Sequence, residues 1–158
     1  MSAKSKYSDI LTIVAFLVFG VLLVASYKLK DILRPNISVT AALDDSCDLR
    51  KGTCTSKLPS GGRVSFTITP HDIQILKPLA LKVKIKDVDV SSVEVDFVGV
   101  GMEMGFNRSK LRKVEKNAFI GKGLLPVCSN TRMDWEARVL LQTGDGMVVA
   151  PFRFYTIK

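Results

Sequence analysis

The chain has 158 residues, a net charge of +8 at pH 7 and 47% hydrophobic residues. That length holds one domain and little else. Its basic residues do not alternate with aromatic ones, which argues against a nucleic-acid surface. It carries no phosphate-binding loop, dinucleotide fingerprint or zinc spacing.

Apolar residues are concentrated near the N-terminus. Between Ile10 and Ser26 the chain reads ILTIVAFLVFGVLLVAS, without charge or proline. A run of about 17 to 20 such residues matches the roughly 30 Å hydrocarbon core of a bilayer at about 1.5 Å per helical residue. Lys4 and Lys6 before it and Val24-Ala25-Ser26 at its end also fit a cleaved signal peptide. The run exceeds an ordinary signal core, and Tyr27-Lys28-Leu29-Lys30 follows it as an aromatic and basic interface anchor. The expectation is therefore one uncleaved transmembrane helix. Basic residues flank it on both sides, so charge does not orient it. The short N-terminal flank, the globular part behind the helix and the cysteines favour export. The expected address is a bacterial inner membrane, single-pass, with the C-terminal domain in the periplasm.

This divides the chain into an anchor with its flanks, residues 1–34, and a domain at 35–158. Leaving out five basic and two acidic residues of the first part lowers the net charge to about +5. Pro35 closes the anchor, and Asn36 to Leu43 begins an extended segment. Gly61-Gly62 opens a strand at Arg63–Thr69, which Pro70 stops. Leu81, Val83 and Ile85 alternate with Lys82, Lys84 and Lys86, a period-two strand with one wet face. Val93, Val95 and Phe97 repeat the pattern. Met102 to Phe106, Lys110 to Val114, Phe119 to Leu125 and Trp135 to Gln142 read as further strands. Gly144-Asp145-Gly146 turns into a last one at Val148 to Thr156. Seven to nine short strands without an amphipathic helix predict an all-β fold, an antiparallel β-sandwich of immunoglobulin-like type behind the N-terminal helix.

Arg108, Lys110, Arg112, Lys113 and Lys116 form a basic patch. It reads either as a docking site for anionic lipid headgroups or an acidic partner, or as the solvated face of a hairpin.

Three cysteines are present. In an exported domain Cys47 and Cys54 can close a short loop as a disulfide, leaving Cys128. A bridge from Cys128 to either of the others is equally allowed. Met102 and Met104 point to the same face if extended, and Met133 follows Cys128 by five positions. Thioether and thiolate ligands select Cu(I), so Met102, Met104, Cys128 and Met133 make a candidate soft-metal set, with His71 as a further donor. Methionines on one strand face also serve as ordinary core filling.

The segments Gly101-Met102-Glu103-Met104-Gly105-Phe106, Phe119-Ile120-Gly121, Met133-Asp134-Trp135-Glu136-Ala137 and Pro151-Phe152-Arg153-Phe154 resemble small exported domains of the FixH and YtkA type, over roughly residues 60–156. The chain is also similar to proteobacterial membrane proteins with an early cysteine pair and a Leu-Pro-Val-Cys segment. The first resemblance implies an anchored immunoglobulin-like domain linked to copper handling and cytochrome oxidase assembly. The chain departs from that pattern in lacking a His-rich tail and in its cysteine set.

Enzyme chemistry has little support. There is no Cys-x-x-Cys, and His71 has no acidic partner in sequence beyond Asp72. The expected protein is a non-enzymatic, membrane-tethered accessory factor. It binds Cu(I) and supports a respiratory oxidase, or it is a metal-free module docking on a membrane complex. Its partners are the lipid bilayer and a membrane protein complex, with no nucleic acid and no small-molecule substrate.

Overall fold

The computed structural model describes residues 14–26, 37–102, 105–127 and 130–157. The chain divides into two compact units, Met1–Asn36 and Ile37–Lys158. In the first, residues 14–26 are an α-helix. Among the described residues no helix is long and apolar enough to cross a membrane. The expected anchor begins at Ile10, and its first four residues lie outside the described ones.

The described residues of the second unit form nine strands: β1 (Ile37–Thr40), β2 (Cys54–Lys57), β3 (Arg63–Thr69), β4 (Leu79–Lys86), β5 (Val90–Gly99), β6 (Arg108–Glu115), β7 (Ala118–Gly123), β8 (Arg132–Thr143) and β9 (Gly146–Ile157). They form one sheet in the order β1-β9-β8-β5-β6-β7-β4-β3-β2. All neighbours pair antiparallel except β1, which runs parallel to β9.

The sheet curls at β6. Residues 108–111 of that strand pair with β5, Arg108 opposite Asp96 and Leu111 opposite Val93. Its second half pairs with β7 instead, Arg112 opposite Ile120 and Lys113 opposite Phe119, with a shift in register before Glu115. Corner strands of this kind let a sheet fold over its own apolar face. Two arms result, β1-β9-β8-β5 and β7-β4-β3-β2, joined through β6.

Alternation explains why the arms close. β4 buries Leu79, Leu81, Val83 and Ile85 and exposes the residues between them, so all its apolar side chains lie on one face. In the first arm the Trp135 and Phe154 rings stack at 6.5 Å, and Phe97 meets Phe154 edge-on at 6.1 Å. Across the arms, Phe66 of β3 touches Phe152 of β9 at 5.6 Å between ring centroids. At Gly123 of β7 the packing is tight: a Cβ there would lie 2.8 Å from Cε2 of Phe97. Among the described residues the core draws on those between Ala41 and Phe154, so the unit carries its own apolar interior.

The long β8–β9 hairpin closes through Gly144-Asp145, with Thr143 opposite Gly146, as a two-residue loop. Pro151 is tolerated within β9 because the β1 ladder ends earlier, at Thr40 opposite Val149. Cys47 and Cys54 are disulfide-bonded, with Cα atoms 5.7 Å apart. That pairing selects one of the alternatives left open above.

Two strand expectations need correction. Met102 to Phe106 is not a strand over its described part. Only Met102 makes a bridge, to Gly99, and Gly101 and Gly105 have φ of +78° and +73°, a conformation that breaks a ladder. The strand expected from Phe119 to Leu125 ends at Gly123.

Candidate interaction surfaces

Strand direction places three loops at one end of the domain. β5 ends at Gly99, opposite Trp135 near the start of β8, and Leu79 at the start of β4 faces Gly123 at the end of β7. The β3–β4 loop (residues 70–78), the β5–β6 loop (100–107) and the β7–β8 segment (124–131) therefore share that end. The chain enters the domain at the other, where Ile37 pairs with Met147 beside the β8–β9 turn.

Hydrogen bonds fasten the loops together. Asn107 Nδ2 donates to the Leu124 carbonyl at 3.0 Å. The Leu76 amide donates to the Leu125 carbonyl, also at 3.0 Å. That bond holds Leu76 at φ +57°, a region costing a branched residue about 1–2 kcal/mol. The result is an apolar rim: Phe106 is 81% exposed, Leu76 59%, Val127 54% and Leu124 47%. The Arg108 guanidinium carbon lies 5.0 Å from the Phe106 ring centroid. Single exposed apolar residues are ordinary, whereas a group on adjoining loops is a surface that a partner could cover.

The soft-metal candidates divide between settings. Met102 is 39% exposed in the β5–β6 loop. Met133 is 4% exposed, lies in the hydrophobic core and stands opposite Thr156 on β9. Met104 and Cys128 lie outside the described residues, though the loops that carry them are the two joined by Asn107 and Leu124. His71 is exposed in the β3–β4 loop. Among the described residues no three His, Cys, Asp or Glu side chains gather as a ligand group.

A second surface covers the outer face of the β7-β4-β3-β2 arm. Exposed Arg63 of β3, Lys82, Lys84 and Lys86 of β4, Lys122 of β7 and Lys57 of β2 point away from the core. Between them stand hydroxyls paired across strands: Thr53 with Thr67 at 2.7 Å and Thr55 with Ser65 at 2.8 Å. The face continues onto β6 through Lys110 and Arg112. There a groove of about 620 Å³ has Ile120 and Ala80 in its lining and Lys82, Lys110, Arg112 and Lys122 around them.

The outer face of the other arm is charged differently. Glu136 accepts from Arg138 at 2.7 Å and lies 3.5 Å from Arg153, and Arg132 pairs with Asp134 at 3.0 Å. Arg108 reaches Glu94 at 3.6 Å and Asp96 at 3.4 Å, which removes it from the basic patch expected at 108–116. None of the cations named on the β7-β4-β3-β2 face has an ion-pair partner among the described residues.

Neither surface is visible as a unit in the sequence. The lysines of β4 look like a solvated strand face, and the basic run of β6 like a separate hairpin. Only the β4–β7 and β6–β7 ladders bring them together. For the rim, exposed leucine and phenylalanine on loops are the one available signal.

No protein-family model, curated protein or solved structure matches the chain.

Proposed function

We propose that this protein is a non-enzymatic interaction module, tethered to the bacterial inner membrane by its N-terminal hydrophobic segment, whose loop end docks on a membrane protein complex. The apolar rim of Phe106, Leu76, Val127 and Leu124 carries this reading. It lies on loops held by one another's backbone, at the end opposite the chain's entry. A partner covering it would gain about 25 cal/mol per Å² of apolar area removed from water.

Placement in the periplasm draws support from the Cys47–Cys54 disulfide, since such bonds persist in oxidising compartments. The uncharged run from Ile10 to Ser26 supports the tether. Facing arms with the Phe66–Phe152 ring contact between them support the immunoglobulin-like sandwich expected from strand spacing.

The test is co-purification of the full chain from detergent-solubilised membranes, wild type beside a Phe106→Ser/Val127→Ser variant. Both positions are exposed, so the variant should fold. Selective loss of one co-purifying membrane complex is the expected result. Identical profiles would sink the proposal.

One observation favours copper as a second reading. The Asn107–Leu124 hydrogen bond joins the loop of Met102 and Met104 to the segment that carries Cys128. With Met133 in the core, the ligand set narrows to Met102, Met104 and Cys128, in keeping with the resemblance to FixH and YtkA domains and a role in oxidase assembly. A Cu(I) competition titration against Met102→Leu/Met104→Leu decides it. Binding by wild type that the variant loses supports the site, and no competition under reducing conditions ends it.

A further inference from the structure

The cationic face has a property that its count of lysines does not convey. Arg63 and Lys86 stand directly opposite one another across the β3–β4 ladder, and Lys82, Lys84 and Lys86 succeed each other on one side of β4. Residues two apart on a strand are about 7 Å apart, and like charges placed directly opposite destabilise a sheet. The neighbouring positions Ser65, Thr67 and Thr69 carry hydroxyls rather than carboxylates. The domain does not lack acids: Glu94 and Asp96 face Arg108 of β6, and Asp134 and Glu136 neutralise the arginines of β8 and β9. Repulsion is thus concentrated on one face, and an external anion would relieve it.

We infer that this face lies against an anionic phospholipid surface, with Lys82, Lys84, Lys86, Lys122, Arg63 and Arg112 meeting headgroup phosphates. Geometry favours lipid over an acidic polypeptide. The cations are spread over four adjacent strands about 4.8 Å apart, and only Lys82, Arg112 and Lys122 of the six border the groove. Five of them are lysines or arginines on β3, β4 and β7, long side chains that reach a plane while their stems cover the sheet. Ile120 and Ala80, between the cations in the groove, offer an apolar floor beneath a headgroup. Each Lys or Arg near an anionic leaflet contributes on the order of 1 kcal/mol, or about fivefold in partitioning.

The inference rests on the tethered reading for its biological place, and the two are tested apart. Resistance of the full chain to alkaline extraction from membranes reads the tether. Docking is read by flotation of residues 37–158, the unit with its own core, with vesicles of phosphatidylcholine alone or mixed with phosphatidylglycerol. Lys82→Gln/Lys122→Gln is compared with Arg138→Gln/Arg153→Gln, which removes equal charge from the other arm. Binding to the phosphatidylglycerol vesicles should fall about 25-fold in the first variant, fall much less in the second, and weaken with salt. Failure of the wild type to float with anionic vesicles at low salt overturns the inference. So does an equal loss in both variants, which would show net charge acting without the face. Wild type that binds soluble poly-glutamate but not the vesicles would assign the face to an acidic protein and overturn it as well.

Discussion

The indole Nε1 of Trp135 donates a hydrogen bond to the Thr156 hydroxyl at 3.0 Å, between neighbouring strands in the domain core. Both residues are almost fully buried, at 0% and 5% exposure. Among the described residues Trp135 is the largest fully buried side chain, and the Thr156 hydroxyl accepts the hydrogen bond of its indole N–H. Thr156→Val keeps the shape and leaves the indole N–H unsatisfied. The expected loss is about 1–3 kcal/mol of stability, read as a lower urea midpoint at unchanged slope. A midpoint equal to wild type would show that the bond contributes nothing net.

Gly123 makes a sharper steric prediction. A methyl at this position meets Cε2 of Phe97 at 2.8 Å and Cδ1 of Leu81 at 3.1 Å, and both neighbours are locked in the core. Gly123→Ala should therefore cost about 1–3 kcal/mol by overpacking. Gly144→Ala, where no atom lies within 4 Å, should be close to neutral in the same thermal melt.

The Cys47–Cys54 bridge closes a short loop, seven positions apart in sequence. On the chain-entropy account a loop of this size is worth about 2–3 kcal/mol. Cys47→Ser/Cys54→Ser, or reduction of the wild type, should lower the urea midpoint accordingly without abolishing folding, because most of the core lies beyond the loop. Collapse of the whole transition would mean that the loop organises more than its own segment.

Charge crowding at Arg63 and Lys86 gives a prediction in the opposite direction. Lys86→Glu turns a like pair into an attractive one and should stabilise by a few tenths of a kcal/mol to about 1 kcal/mol. Added sodium chloride should raise the melting temperature of wild type and do so less for the variant, since screening acts on the repulsion. A lower melting temperature for Lys86→Glu would contradict this account of the face.

Much of the strand pattern was legible because one wet face enforces period-two alternation. β4 declares itself through Leu81, Val83 and Ile85 against three lysines, and β3 through Gly61-Gly62 before it and Pro70 after it. The error at Met102 to Phe106 has a local cause: its apolar residues look like a strand, while Gly101 before it and Gly105 within it take positive φ and turn the chain. β2 is not legible in the sequence because four residues of Cys-Thr-Ser-Lys carry no apolar rhythm. β6 was legible as a strand but not as a corner, since its change of partner from β5 to β7 depends on residues far away in sequence. The same distance hid both surfaces. The rim and the cationic face consist of side chains from three or more strands or loops, and a linear reading sees each only as an isolated exposed residue. Met133 shows the converse: its position near Cys128 suggested a ligand, whereas alternation along β8 assigns it to the core.

The most direct measurement is site-specific photo-cross-linking in intact membranes, with the photoreactive residue at position 106 in one full-length variant and at position 144 in another. One discrete protein adduct is expected from position 106, abolished by adding Leu76→Ser and Val127→Ser, and none from position 144 at the opposite end. An adduct of equal strength from both ends, or none from position 106, would contradict docking through the loop rim.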